Sequence, residues 1–248
     1  MNVAVNLDGH PPLWCRSFFI EDDKLHLQSL ITPVDGFLET GMECQQYEEE
    51  SVVCSHLEEI FSPELYRRTS SDSSPPPCIL LRACLVIAKL FSTESNLSLQ
   101  DQLREFCHPL DSTHDSCHHS YRGLKIISCS QIPSGSGMGG SSILAAVILK
   151  SIFHLLYPRA MLSEDLLVRM VGQIEQLLTT GGGWQDQVGG IYPGFKLCQS
   201  RGTLESPVTV QRCVPSNEFL SKFAQRTCLI YSGIQVPLTL FILSFDPT

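Results

Sequence analysis

Positive charge is scarce in this chain. Only 17 Lys and Arg stand against 26 Asp and Glu in 248 residues, a formal net charge of −9. An acidic surface repels nucleic-acid backbones and anionic lipid, so neither nucleic acid nor a membrane is expected as a partner. A nucleotide is not excluded, because backbone donors and a metal ion can hold one. No uncharged apolar run of about 18 residues offers a membrane span. The nearest, Leu229 to Phe245, is broken by Ser232, Gly233, Gln235, Pro237 and Thr239. The first residues carry Asp8 and lack the apolar core of a signal peptide. The 11 cysteines lack a regular spacing. They read as reduced, mostly buried thiols of a cytoplasmic protein. Cys107, His108, His114, Cys117, His118 and His119 have zinc-ligand chemistry but not the spacing of a finger, and the residues between them read as an irregular loop. No internal repeat is present.

What is there suffices for a core: 43% of residues are hydrophobic, with a mean hydropathy of +0.06. Residues 2–7 and 13–20 read as paired strands about the turn Asp8-Gly9-His10-Pro11, and Leu25 to Ile31 as another strand. Residues 44–61 carry Glu48, Glu49, Glu50, Glu58 and Glu59 beside Val52, Val53, Leu57, Ile60 and Phe61, which suggests an amphipathic helix with an acidic outer face. Ser70 to Pro77 has nothing to bury and reads as a flexible insertion. Cys78 to Phe91 reads as a buried helix. A further helix runs from Ser98, a plausible N-cap, to Phe106. Leu124 to Cys129 reads as a strand, and 141–156, apolar on nearly every face, as an interior helix. Ser163 caps a helix through Leu178, with Leu167, Met170, Val171, Ile174, Leu177 and Leu178 at helical period. Ile191 to Cys198, Val208 to Val214 and Thr227 to Tyr231 are strand-like. Strands and helices do not alternate strictly, so the expected class is α+β.

Two segments carry chemistry. Ile132-Pro133-Ser134-Gly135-Ser136-Gly137-Met138-Gly139-Gly140-Ser141-Ser142 lies at a strand-to-helix turn. Backbone N–H groups and the positive helix end there make an anion site. The loop has no Lys and does not fit the Walker pattern. It also lacks the acidic residue of a dinucleotide fold. A flexible surface loop is the plain alternative. The second segment is Thr179-Thr180-Gly181-Gly182-Gly183-Trp184-Gln185-Asp186-Gln187-Val188-Gly189-Gly190. A carboxylate in a glycine-rich loop can approach a substrate closely, which suits a general base or a hydroxyl-orienting group. A tight turn with an exposed Asp is the alternative, but it explains neither Trp184 nor the flanking Gln residues. Glu175 borders the buried stripe of its helix, in the last turn, where the helix dipole disfavours an anion. A surface Glu tolerates that position, and a metal ligand aimed inward would use it.

Together the wording Pro-Ser-Gly-Ser-Gly-Met-Gly-Gly-Ser-Ser-Ile-Leu-Ala and Leu-Thr-Thr-Gly-Gly-Gly-Trp-Gln-Asp-Gln-Val-Gly-Gly resembles the GHMP small-molecule kinases, whose phosphate loop reads Pro-x3-Gly-Leu-Gly-Ser-Ser. Within them it looks like the L-fucose kinase branch. The resemblance is tight over 124–198, looser over 1–123, and fails beyond Tyr231. It implies a two-layer GHMP kinase N-terminal domain over 1–231, incomplete. An insertion near 69–77, an irregular loop at 107–122 and a divergent tail at 232–248 complete the layout.

By the same resemblance, ATP would lie over Pro133, Ser134, Gly135, Ser136, Gly137, Met138, Gly139, Gly140, Ser141 and Ser142. Magnesium (Mg2+) would be held by Ser141 and Glu175. Asp186 would take the proton of the anomeric hydroxyl of L-fucose or orient that hydroxyl, with Gly182, Gly183 and Trp184 beside the sugar, giving fucose 1-phosphate. The family also carries Gly-Gly-Trp-Ser-Asp-Thr-Pro-Pro upstream and a late Gly-Ala-Gly-Gly-Gly-Gly-Phe. Neither occurs in this sequence, so the expectation is a central catalytic portion truncated at both ends. A nucleotide-binding fragment without turnover and a kinase of another sugar remain the alternatives.

Overall fold

A computed structural model describes residues 2–7, 10–31, 47–67, 75–107, 122–132, 136–159, 161–178, 183–201, 208–228 and 230. Its frame is a five-stranded sheet. Strands β1 (Asn2–Leu7), β2 (His10–Ile20), β3 (Leu25–Ile31), β4 (Glu48–Cys54) and β5 (Gly123–Ser130) stand in the order β1-β2-β5-β3-β4. All neighbours are antiparallel except β3 and β5, which run parallel. Parallel strands need a long connection. Here it contains β4 and the helices α1 (Glu58–Phe61), α2 (Ile79–Ala88) and α3 (Leu99–Cys107).

The register explains the layering. Cys15 pairs with Ser128, Ser17 with Ile126, Leu27 with Ile126 and Leu27 with Val52. Side chains two apart share a face, so Leu13, Cys15, Leu25, Leu27, Leu124 and Ile126, all buried, form one apolar face. Trp14, Arg16 and Phe18 point the other way, with the Arg16 guanidinium 5.0 Å from the Trp14 ring centre. Helix α4 (Gly140–Leu156) covers the apolar face, burying Leu144, Ala145, Val147, Ile148, Leu149 and Ile152. The buried Ser17 and Ser151 hydroxyls, 2.7 Å apart, join β2 to it. The helices α5 (Glu164–Leu177) and α6 (Gln185–Ile191) pack on α4. A hairpin of β6 (Lys196–Gln199) and β7 (Thr209–Arg212) and the helix α7 (Asn217–Arg226) follow. This is the mixed two-layer arrangement that the sequence implies.

The acidic segment departs from expectation. Residues 48–54 form a strand, not the first part of a helix over 44–61; only Glu58–Phe61 is helical. Exposure alternates along β4, with Glu50, Val52 and Cys54 on the inner side and Ser51 and Val53 outside. Pairing with β3 decides the matter, and the glutamates mark β4 as the edge of the sheet. Glu50 is used inward, where its carboxylate accepts the Cys78 N–H at 2.7 Å at the start of α2.

Other elements follow the sequence closely. Ser98 and Asp101 cap α3 reciprocally: Asp101 N–H donates to Ser98 Oγ at 3.2 Å and Ser98 N–H to Asp101 Oδ2 at 3.3 Å. Ser163 Oγ accepts the Leu166 N–H at 3.3 Å at the start of α5. The segment expected to be strand-like from Ile191 begins as the end of α6, and Thr227, Cys228 and Ile230 form no strand. Helix α7 was missed, although Ser216 and the apolar Phe219, Leu220 and Phe223 carry its signal, and Ser216 Oγ caps it.

The described cysteines are free thiols, five of them buried. Burial raises the Cys15, Cys54 and Cys78 thiols to about 11 each, so they stay protonated at neutral pH. No helix among the described residues is long and apolar enough to cross a membrane. The Cys/His cluster from Cys107 onward, the core of the 69–77 insertion and the tail 232–248 lie outside the described residues or side chains.

Candidate active site

The glycine-serine loop leaves β5 and enters α4. Pro133, Ser134 and Gly135 lie outside the described residues. Gly137 and Gly139 take φ of +70° and +67°, a conformation that L residues adopt at a cost. Gly139 is the N-cap of α4 and no side chain caps that end. The amides of Gly140, Ser141 and Ser142 therefore open the long helix α4, at its positive end. Met138 and Ser141 are exposed, Ser136 is half-buried and Ser142 is buried.

Asp186 does not sit in an open loop. It lies in the first turn of α6, exposed, with Trp184 as the N-cap residue. Glycines bring it to the glycine-serine loop nonetheless. A Cβ on Gly139 would stand 3.3 Å from Asp186 Cβ and 3.7 Å from its Oδ1. A Cβ on Gly190 would stand 2.3 Å from Ile143 Cγ1, so α6 lies close against α4. Two segments more than forty residues apart in sequence thus meet at one place, because at each contact one partner is a glycine: Gly139 against the Asp186 side chain and Gly190 against that of Ile143.

Glu175 completes the group. It is half-buried near the end of α5, and the Ser142 hydroxyl donates to its Oε1. The Gln187 side chain, 2% exposed, also hydrogen-bonds to this carboxylate. Burial pushes the Glu175 carboxyl above its ordinary value. The Ser142 hydrogen bond opposes that shift, the nearby Asp186 charge adds to it, and the Gln187 hydrogen bond opposes it. The other end of Gln187 is unusual: its Oε1 is buried and has no hydrogen-bond partner.

Among the residues singled out by sequence, the fold thus brings together Gly139, Ser142, Glu175 and Asp186. Ser141, named with Glu175 from the sequence, is exposed; Ser142, one residue on, is the hydroxyl that touches Glu175. Gly182 lies outside the described residues, and Gly183 is exposed. Trp184 is half-buried and packs on a small cluster of Val168, Val188 and Tyr192. Gln187 was not singled out, and a glutamine in a Gln-Asp-Gln run carries no signal by itself. Its burial is what reveals it.

The site is tied down from behind. The Tyr192 hydroxyl donates to Asp165 of α5, and the Arg212 guanidinium lies 5.8 Å from the Tyr192 ring centre. Lys196 Nζ donates to the carbonyls of Gly189 at 3.0 Å, Tyr192, and Gly194 at 3.4 Å. A cation at the negative end of α6 steadies the helix that presents Asp186.

The oxygen-rich donor set, one hydroxyl and two carboxylates, is the kind that a hard divalent cation prefers. No cluster of three or more His, Cys, Asp or Glu side chains suited to a metal occurs among the described residues. A cation here would depend on further oxygen ligands such as nucleotide phosphates, which is how magnesium is commonly held.

Residues 99–194 match the GHMP kinases N terminal domain. The chain is 31% identical over 239 residues to an L-fucokinase/L-fucose-1-P guanylyltransferase of Bacteroides fragilis, covering 94% of this chain and 21% of that protein. It is 38% identical over 111 residues to a bifunctional fucokinase/GDP-fucose pyrophosphorylase of Arabidopsis thaliana, covering 45% of this chain and 10% of that protein. The chain thus spans about a fifth or less of the length of these curated relatives. A solved structure of a D-glycero-D-manno-heptose 1-phosphate kinase from Bacteroides thetaiotaomicron is also similar, with a TM-score of 0.45 and 15% identity over 84% of this chain and 50% of that one. The matched residues run from α3 through the glycine-serine loop to the end of the Asp186 segment, and over them the chain carries a GHMP kinase N-terminal domain.

Proposed function

We propose that this chain carries the nucleotide-binding and phosphoryl-transfer part of an ATP-dependent L-fucose kinase, forming fucose 1-phosphate from the anomeric hydroxyl. The observation that carries the reading is the approach of Gly139 to Asp186, which sets an exposed carboxylate beside an uncapped helix N-terminus. The likeness to the two fucokinase-containing proteins supports the choice of sugar.

The residues divide the work as follows. The backbone from Ser136 to Ser142 and the α4 N-terminus hold the nucleotide phosphates. Pro133, Ser134 and Gly135 belong to the same loop by sequence. The hydroxyls at the start of α4, Ser141 and Ser142, and the Glu175 carboxylate would hold magnesium, which would neutralise phosphate charge. Asp186 orients the sugar hydroxyl and takes its proton. Gly182, Gly183 and Trp184 flank the sugar. The hydroxyl oxygen bonds to the γ-phosphorus as the bond to the β,γ-bridging oxygen breaks, and ADP leaves. Positioning and charge neutralisation supply most of the rate in such a transfer.

The test is ADP release by the 248-residue chain with ATP and magnesium, with and without L-fucose, alongside calorimetric ATP binding. Fucose-dependent ADP release is the expected result. ATP binding without turnover under any sugar selects a nucleotide-binding fragment instead, and turnover with a different sugar alone moves the specificity. No ATP binding at all ends the kinase reading for this chain.

A further inference from the structure

Gln187 stands out as a polar side chain buried at this site that the phosphoryl-transfer mechanism above does not use. It follows Asp186 on α6 and is 2% exposed. Burying an amide is costly unless both of its ends find partners. Here one end does, on the Glu175 carboxylate. The other end, Oε1, is the one buried side-chain oxygen without a partner among the described residues. Turning the amide over does not cure this. The carbonyl oxygen would then face a carboxylate, and two N–H donors would be orphaned in place of one acceptor. The orientation is therefore set by Glu175, and the carbonyl is left over.

A leftover oxygen at this position has a chemical reading. The other end of the same amide is bonded to Glu175, itself held by Ser142, and the Asp186 charge acts on that same carboxylate. A neutral amide carbonyl beside carboxylates is a ligand type that hard cations and their bound waters accept, and it adds no further negative charge. A side chain that donates to one ligand and offers an oxygen of its own both orients that ligand and shares the load.

We propose that Gln187 is a further residue of the divalent-cation site, its amide N–H fixing the Glu175 carboxylate and its buried carbonyl oxygen accepting from, or ligating, the hydrated cation. This rests on the reading of the site as one for a magnesium–nucleotide complex.

The experiment uses Mn2+ as the probe, with a non-hydrolysable ATP analogue bound to the full 248-residue chain. Free Mn2+ is read by electron paramagnetic resonance, and metal-free analogue binding is measured by calorimetry on the same samples. Gln187→Met keeps length and apolar bulk but removes both polar ends. It is expected to weaken Mn2+ binding by about 10–100-fold, the range for groups that orient metal ligands. Metal-free analogue affinity should stay near that of the parent, which a merely structural role would not spare. Gln187→Asn, shorter by one methylene but still an amide, serves if the Met variant does not fold, and should lose Mn2+ affinity as well. Mn2+ affinity within about twofold of the parent in either folded variant overturns the proposal. Glu175→Gln separates the two levels of the argument. If it loses Mn2+ affinity while the Gln187 variants do not, only the role of Gln187 fails. If it binds Mn2+ like the parent, the site itself is not a cation site and both readings fall.

Discussion

Gly137 and Gly139 sit two residues apart with nearly the same backbone, φ +70° and +67°, yet only Gly139 meets the Asp186 side chain. A Cβ on Gly137 would meet nothing within 4 Å, whereas on Gly139 it would press on Asp186 at 3.3 Å. Replacing each by Ala separates backbone strain from contact. An L residue held in the left-handed region costs roughly 1–2 kcal/mol. For a chain of this size that is a fall in melting temperature of about 2–8 °C. Both variants should show it.

Only Gly139→Ala must also displace Asp186. Helix α6 cannot easily retreat as a body, since Val188 is buried and Gly190 lies against Ile143. The carboxylate itself has to move. Misplacing a reacting group by about 1 Å costs on the order of 10²-fold in rate, so a smaller shift should cost about 10-fold to 10²-fold. The assay is fucose-dependent ADP release at saturating ATP, with thermal unfolding of the same preparations. Equal melting temperatures with a clear loss of turnover in Gly139→Ala alone is the expected pair of results. Equal turnover in the two variants would refute the claim that the 139–186 contact sets the position of the carboxylate.

Asp186→Asn should lower turnover by about 10²–10⁴-fold while ATP affinity measured by calorimetry stays within error, because a proton acceptor is lost and no phosphate contact is; near-normal turnover would make Asp186 an ordinary surface residue. Glu175 has its folded pKa raised above the ordinary 4.5 by burial, so the native state holds this proton more tightly than the unfolded chain does. The stability this lends is present below about pH 4 and is lost as pH rises through the folded value. Glu175→Gln should therefore gain in melting temperature over the parent between pH 4 and pH 7.5 in metal-free buffer, and a pH-independent gap would contradict the burial argument. Lys196→Met removes the cation from the Gly189, Tyr192 and Gly194 carbonyls and should cost about 0.3–1 kcal/mol, seen as a melting temperature lower by about 1–4 °C; no change would show that α6 does not lean on it.

Much of this protein is readable from its residues. Helix α4 is legible because 141–156 is apolar on nearly every face, and α5 because Ser163 and a 3.6-residue period mark its start and its buried side. The strands β2, β3 and β5 are legible from apolar runs bounded by turns. The glycine-serine turn is legible because only glycine takes the positive φ found at 137 and 139 without penalty.

The tertiary structure decided the rest. Glu48–Cys54 has residues that fit a helix or a strand, and the open edge of β3 made it a strand, since edge pairing supplies hydrogen bonds that no local pattern can announce. Asp186 reads as a loop residue, but the packing of α6 on α4 made its segment helical. Whether Ser141 or Ser142 meets Glu175 depends on the rotation of α4 over the sheet, which spacing in the chain does not set. The unpartnered oxygen of Gln187 exists only once α5 and α6 close around it. Local propensity and period follow from neighbours along the chain, whereas the meeting of distant side chains follows from how packed elements turn toward one another.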